Sequence, residues 1–423
     1  MKKDKITQKL FVIGVIGAVC FVASMLVLGL VHERAERFEQ AKSEIAGTWG
    51  SRQSVVGPML VVDEIGALGV GRRYIIFPDT LTYEATLKPE ERTRGIFATP
   101  VYTSDIHVAG TFSGTDLSAI LAEPARRGVL FVLAIADTRG IERQIELAWG
   151  NSTIPLEPSS ELSIHGGFGL HADISAATLR GDIPFSFNIT VKGSEGISFA
   201  PVGRETTIVL FSAWPSPKFV GPFLPAERTI TDDSGFEAEW RITSFGRSYP
   251  QTGTATEIDF DRVLASAAGV DLYEHVDLYT QVFRSIKYAV LFIAVTFLAF
   301  FLFETLTGVR IHPFQYLLIG TALALFYLLL LSLAEYIGFF TAYALATLMI
   351  SSLITFYSLR VLAAKRRAFS IFALLVVLYA YLYFVLRQED YALLFGSLLL
   401  FVFLAATMYL TRNINWFAAR QHE

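Results

Sequence analysis

Hydrophobic positions follow two rhythms along this chain. Apolar runs of about 18 residues or more, enough to cross roughly 30 Å of hydrocarbon, occur once near the N-terminus, at Leu10 to Val31, and then repeatedly after Tyr288. The later runs are Tyr288 to Leu306, Phe314 to Leu333, Ile337 to Val361, Ala368 to Leu386 and Tyr391 to Leu410. The pattern therefore predicts an integral membrane, α-helical protein with one N-terminal anchor and five further transmembrane helices. Between anchor and bundle the rhythm is shorter. Runs such as "MLVVDEI", "GVLFVLAIADTRGI" and "ETTIVLFSAW" are rich in β-branched and aromatic residues and are separated by Gly, Pro, Asn and Asp. In "FSFNITV", Phe185, Phe187, Ile189 and Val191 share one face of a strand. This is the grammar of a large all-β, sandwich-like domain, and the gap from Leu117 to Arg127 leaves room for a short helix.

The basic start "MKKDKITQK" precedes an apolar run that is too long for a signal-peptide core and has no small-x-small cleavage site, so an uncleaved anchor is expected. After it, "HERAERFEQAKSEIAGTW" carries helix formers with charges on every face and reads as a solvated stalk ended by Gly57-Pro58. The expected organisation is a cytoplasmic start over 1–9, an anchor over 10–31, a stalk over 32–58, a β-rich domain over 59–284, a five-helix bundle over 285–410 and a cytoplasmic tail over 411–423. Alternating the spans from a cytoplasmic N-terminus puts Arg310, Lys365, Arg366, Arg367, Arg412 and Arg420 inside, while Glu335 and the turn Arg387-Gln-Glu389-Asp390 fall outside. That agrees with the positive-inside bias and leaves both termini in the cytoplasm. Arg284 and Lys287 are exceptions near a helix end, where long cationic side chains can snorkel.

Composition narrows the function class. The chain is 53% hydrophobic and 17% charged, too apolar for an ordinary soluble protein. A net charge of -4, with no Arg/Lys cluster interleaved with aromatics in the central region, argues against a nucleic-acid partner. Cys20 is the single cysteine, which removes internal disulfides and cysteine metal sites. Neither G-x-S-x-G nor H-E-x-x-H occurs, and "HERAE" at His32 lacks the second histidine. "HGGFGLH", His165 to His171, has only Asp173 as a neighbouring carboxylate and reads as a hairpin loop rather than a metal site. No metal or cofactor is expected.

The candidate functional or structural polar residues are those within or beside the apolar runs: Glu304, Arg310, His312 and Glu335. The topology puts Glu304 near the cytoplasmic end of its span, away from the midplane where charge costs most. Six residues separate it from Arg310, so the two lie on different helix faces. With Pro313 suited to a first helical turn, "GVRIHPF" reads as a tight hairpin in which Glu304 accepts hydrogen bonds from Arg310 or His312. In the fourth span, Thr347, Ser351, Thr355 and Ser358 stack hydroxyls on one face, better suited to helix packing than to a substrate path. Gly14 and Ala18 form a small-residue patch where the anchor would dock.

Longer stretches carry a resemblance. "FFLFETL" followed by "HPFQYLL", together with "VHERAERFEQAKSEIAGTWGSRQSVVGPML", "RGIFATPVYTSDIHVAG", "FLPAERTITDDSGFEAEWRITSFGRSYPQ" and "FLAATMYLTRNINWF", closely resembles the CreD family of bacterial inner-membrane proteins, also called cell-envelope integrity proteins. The resemblance implies a large periplasmic domain between an anchor and a helical bundle, an association with envelope stress, and no enzymatic residue to carry over. The expectation is a non-catalytic protein in the lipid bilayer whose periplasmic domain binds or senses an envelope component or protein partner. The alternative is a transporter or lipid-handling enzyme using Glu304, Arg310, His312 and Glu335.

Overall fold

A computed structural model of the chain describes residues 2–66, 69–123, 126–141, 143–164, 167–174, 181–231, 234–272, 278–307, 311–361, 365–388 and 391–412. The chain divides into two compact units: a helical one made of Met1–Phe38 and Val276–Glu423, and a sheet unit spanning Glu39–His275.

The helical unit contains most of α1 (Lys2–Trp49), then α4 (Leu278–Lys287), α5 (Ala289–Thr307), α6 (Pro313–Ile337), α7 (Phe339–Val361), α8 (Lys365–Arg387) and α9 (Ala392–Thr411). Among the described residues, four helices, α1, α6, α7 and α8, are long and apolar enough to cross a membrane. A fifth span results if α4 and α5, bent by 43° at their junction, count as one, and the apolar part of α9, Leu394–Tyr409, is shorter. The six expected runs fall on α1 and on α5 to α9, with α5 counting as a span when taken together with α4. Lone Gly338, at a φ of 75°, separates α6 from α7.

Along the part of α1 in the helical unit the buried positions include Ile13, Cys20, Ser24 and Val31, with Leu10, Phe11, Val15, Val19, Val22 and Leu26 exposed. The expected Gly14 and Ala18 patch is not the docking face, because a Cβ on Gly14 would meet nothing within 4 Å and Ala18 is exposed. Close approach occurs at Gly320 of α6, where a Cβ would lie 2.4 Å from Cys20 Sγ and 2.8 Å from Phe297. Small size is needed on α6, with the cysteine as the knob.

The helix does not run to Gly57-Pro58 as expected. It stops at Trp49, and the chain turns at Gly50, whose φ of 148° and closeness to Lys192 O, 2.5 Å from a would-be Cβ, exclude other residues. Gly57-Pro58 is a cis peptide inside the first strand. The joint after α1 is heavily bonded. Asp137 is buried and accepts from Ser51 N at 3.1 Å, Arg139 N at 3.0 Å and the Arg139 guanidinium at 2.9 and 2.6 Å. Arg139 Nη1 also donates to Gly47 O, a terminal carbonyl of α1, at 2.7 Å. The hydrogen bonds from Arg139 hold the Asp137 carboxyl well below the usual carboxylate range. Trp49 Nε1 donates to Tyr102 O at 3.2 Å, and its ring lies under Arg92 and Lys192.

The sheet unit holds β1 (Gln53–Gly66), β2 (Gly69–Ile76), β3 (Thr80–Arg94), β4 (Phe97–Phe112), β5 (Arg126–Ile135), β6 (Ile145–Trp149), β7 (Ser152–Ile164) and β8 (Gly167–Ile174). It continues with β9 (Ile183–Ser194), β10 (Gly196–Phe199), β11 (Glu205–Ser212), β12 (Pro217–Val220), β13 (Glu227–Thr231), β14 (Gly235–Thr243), β15 (Thr252–Thr254) and β16 (Ala268–Leu272). The strands join in the order β12-β16-β10-β1-β5-β8-β7-β6-β9-β4-β3-β11-β14-β13, with β2 and β15 branching from β1. The sheet is mixed, since β1 pairs parallel with β10 and β3 parallel with β11. Both parallel pairs join strands distant in sequence, Gln53–Val55 with Ile197–Phe199 and Thr80–Leu87 with Glu205–Ser212, so no local pattern announced them. Among the described residues two short α-helices interrupt the strands, α2 (Gly114–Leu121), which lies earlier than the Leu117 to Arg127 gap suggested, and α3 (Phe260–Ala265).

Strand β7 pairs with β6 through its first half and with β8 through its second, so it carries the sheet around a fold. The two faces then meet through aromatic rings. Phe131 of β5 lies edge-on to Phe185 and Phe187 of β9 and to Trp149 of β6, at 5.7–6.0 Å. Phe219 of β12 meets Trp240 of β14 at 5.6 Å. Such edge-to-face aromatic pairs add about 0.5–1.5 kcal/mol each beyond their buried area. Alternation through most of β9 and β14 and the first half of β3 sends one set of side chains into this core and the other outward.

Candidate functional site

Glu335 lies near the C-terminal end of α6 with a side chain only 3% exposed. A carboxylate there needs partners for both oxygens. Arg34 of α1 supplies a two-pronged bond, Nε to Oε1 at 3.0 Å and Nη2 to Oε2 at 2.7 Å, and Tyr279 of α4 donates to Oε1 at 3.1 Å. The planar guanidinium fits a carboxylate with two parallel hydrogen bonds, a geometry that lysine cannot reproduce. One residue thereby joins α1, α4 and α6.

Glu304, near the C-terminal end of α5, is treated the same way. Lys9 of α1 pairs with it and also donates to Ile311 O at 2.7 Å, while Tyr316 of α6 donates to Glu304 Oε2 at 3.2 Å. The expectation that His312 serves Glu304 does not hold. His312 is the N-cap of α6, with Nδ1 accepting from Phe314 N at 3.2 Å and its own N–H donating to Gln315 Oε1 at 2.9 Å, a reciprocal capping arrangement. Pro313 at the first helical position completes that helix start, as expected. Arg310 lies outside the described residues.

The two clasps have the same parts: a carboxylate at a helix end, a cation from α1 and a tyrosine hydroxyl from a third helix. The four candidates named from the sequence are not one constellation. Glu304 and Glu335 belong to separate clasps, and His312 has a backbone task. Lys9, Arg34, Tyr279 and Tyr316 were not expected as the partners of these carboxylates. A signal existed, because Lys9 and Arg34 flank the first apolar run as Glu304 and Glu335 mark the ends of later ones. Charges of opposite sign at matching ends of apolar segments invite pairing.

On α7, Ser351 and Ser358 lie on the buried face with Ala342, Ala346, Ile350 and Ile354. Thr355 Oγ1 donates to Ser351 O at 2.6 Å and Ser358 Oγ to Ile354 O at 2.7 Å, each one turn back on the same helix. The Thr347 and Ser351 hydroxyls are buried without a hydrogen-bond partner among the described residues. Among the described residues no group of three His, Cys, Asp or Glu side chains is placed to hold a metal ion. Of the "HGGFGLH" segment, His165 lies outside the described residues, and His171 Nδ1 sits 3.1 Å from Glu157 O.

The family model described as inner membrane protein CreD matches residues 5–417 of this chain. The chain belongs to the CreD family. It is also 32% identical over 408 residues to inner membrane protein CreD of Escherichia coli strain K12, covering 93% of this chain and 90% of that protein. This CreD-family chain is thus an inner membrane protein with several apolar helices and a large mixed-sheet unit. The resemblance seen in "FFLFETL" and "HPFQYLL" extends through the segments that carry both clasps.

Proposed function

We propose that this protein is a non-catalytic member of the cell-envelope integrity class, whose sheet unit faces the periplasm and binds or senses an envelope component. In this reading α4–α5 and α9 complete six spans, and both termini lie in the cytoplasm. The observation that carries it is the use made of the bundle's carboxylates. Glu304 and Glu335 are each held by a cation of α1 and a tyrosine, so they fasten α1 to the bundle. The same helix continues in sequence to Trp49, in the sheet unit. Groups committed to fastening a helix suit an anchor and coupling element better than a moving proton or substrate site.

The test is complementation of a deletion strain for growth on deoxycholate. Charge reversal together at exposed Arg72, Glu146 and Arg228 of the sheet unit should abolish protection while the protein accumulates normally in the membrane, and intact protection would refute the reading. Glu304→Gln separates the transporter or lipid-handling alternative. That alternative requires activity to vanish at normal abundance, whereas here protection follows abundance.

A further inference from the structure

The outer face of strands β3, β11, β14 and β13 carries an open groove of about 530 Å³. Strand register assembles its centre. Thr86 is paired with Phe211, Phe211 with Glu237, and Glu237 with Thr229, so four side chains form one row across four strands. Directly paired residues share a face, and on β11 the neighbours Leu210 and Ser212 point inward while Phe211 stays 38% exposed. Beside the ring the floor is low, because Gly235 has no room for a side chain: a Cβ would sit 2.0 Å from Ser212 O, and its φ is 85°. Thr231, paired with Gly235, and Lys88 stand on either side.

We infer that this groove binds an uncharged oligosaccharide. The inference rests on the proposed binding role of the sheet unit and names the ligand class. Its chemistry is an exposed aromatic ring, three threonine hydroxyls that both donate and accept, and one carboxylate that accepts two hydrogen bonds at once. A sugar ring offers the complement, an apolar C–H face for Phe211 and adjacent hydroxyls for Glu237 and the threonines. Charge narrows the choice. Lys88 is already paired with Asp105 at 2.6 Å, and Glu237 stands at the centre of the row, so an anionic ligand would be repelled. Strands β3, β11 and β14 are paired on both sides and β13 pairs with β14, so the central row presents side chains rather than free backbone groups to a ligand. The volume suits a ligand of roughly two to three hexose rings, within the range of small-molecule sites.

The experiment is calorimetric titration of the full chain in lipid nanodiscs with chitotetraose and, separately, maltotetraose. Saturable binding of at least one is expected, weakened about tenfold or more by Phe211→Ala and by Glu237→Gln. Binding of chitotetraose alone would assign an acetamido sugar, and binding of both the hexose ring itself. No saturable binding below ~10 mM, or an affinity unchanged in both variants, overturns the groove. Both substitutions are at exposed positions, and an unchanged thermal midpoint shows that they leave the fold intact. Failure here leaves the sheet unit's wider role to the deoxycholate measurement, which uses other residues.

Discussion

Replacing Arg34 with methionine tests whether the Glu335 clasp holds α1. The stem volume is nearly kept, but the buried carboxylate loses both guanidinium bonds and retains the Tyr279 hydroxyl. Breaking a buried pair by removing one partner costs about 3–5 kcal/mol. Arg34 is 29% exposed and Glu335 3% exposed, so solvent screens one side of the pair and the lower figure, about 3 kcal/mol, applies. The double variant Arg34→Met/Glu335→Leu removes the stranded charge and should return to within about 1 kcal/mol of the parent, because apolar replacements of buried pairs are near neutral. Equilibrium unfolding in mixed micelles, run as a double-mutant cycle, isolates the coupling, expected at about 2–3 kcal/mol. If Arg34→Met costs under about 0.5 kcal/mol, as an exposed surface pair would, or if the double variant is no better than the sum of the singles, the clasp is not structural.

Gly320→Val puts a branched side chain where even a Cβ would lie 2.4 Å from Cys20 Sγ. It should displace α1 at a cost of about 1–3 kcal/mol, and maleimide labelling of Cys20, now 2% exposed, should rise from near zero; unchanged labelling would contradict the packing. Asp137 supplies a pH dependence in the sheet unit. Its carboxyl is held below the ordinary value by Arg139, so its contribution is fully present above about pH 4 and is lost as pH falls through the depressed value. Thermal melts followed by tryptophan fluorescence should show Asp137→Asn less stable than the parent at neutral pH. The gap should narrow in strong acid, and a gap independent of pH would refute the assignment.

The legible part of this architecture was whatever is written in local periodicity. Apolar runs long enough to span a bilayer announced the helices, and alternation in "FSFNITV" announced a strand whose inward side chains do meet Phe131. Pairing across the chain was not legible. Glu335 stood out as a charge beside an apolar run, but nothing near it in sequence points to Arg34 or Tyr279. Glu304 was matched to its neighbours in sequence, whereas its cation comes from the other end of the chain. Gly57-Pro58 looked like a helix stop because proline excludes helix and strand interior alike. The bulge in β1, where register with β5 shifts between Val56 and Met59, accommodates it instead.

The spacing of the two clasps along α1 has a consequence for the bilayer. Lys9 and Arg34 are about 25 residues apart, roughly 37 Å of helix, bracketing an apolar stretch that must match some 30 Å of hydrocarbon. A lone transmembrane helix answers a change in bilayer thickness by changing its tilt. Pinned at both ends to α5 and α6, α1 cannot tilt by itself. A thinner or thicker membrane must be met by the bundle leaning as one piece or by the lipid deforming around it, so hydrophobic mismatch becomes a load on the ion pairs themselves.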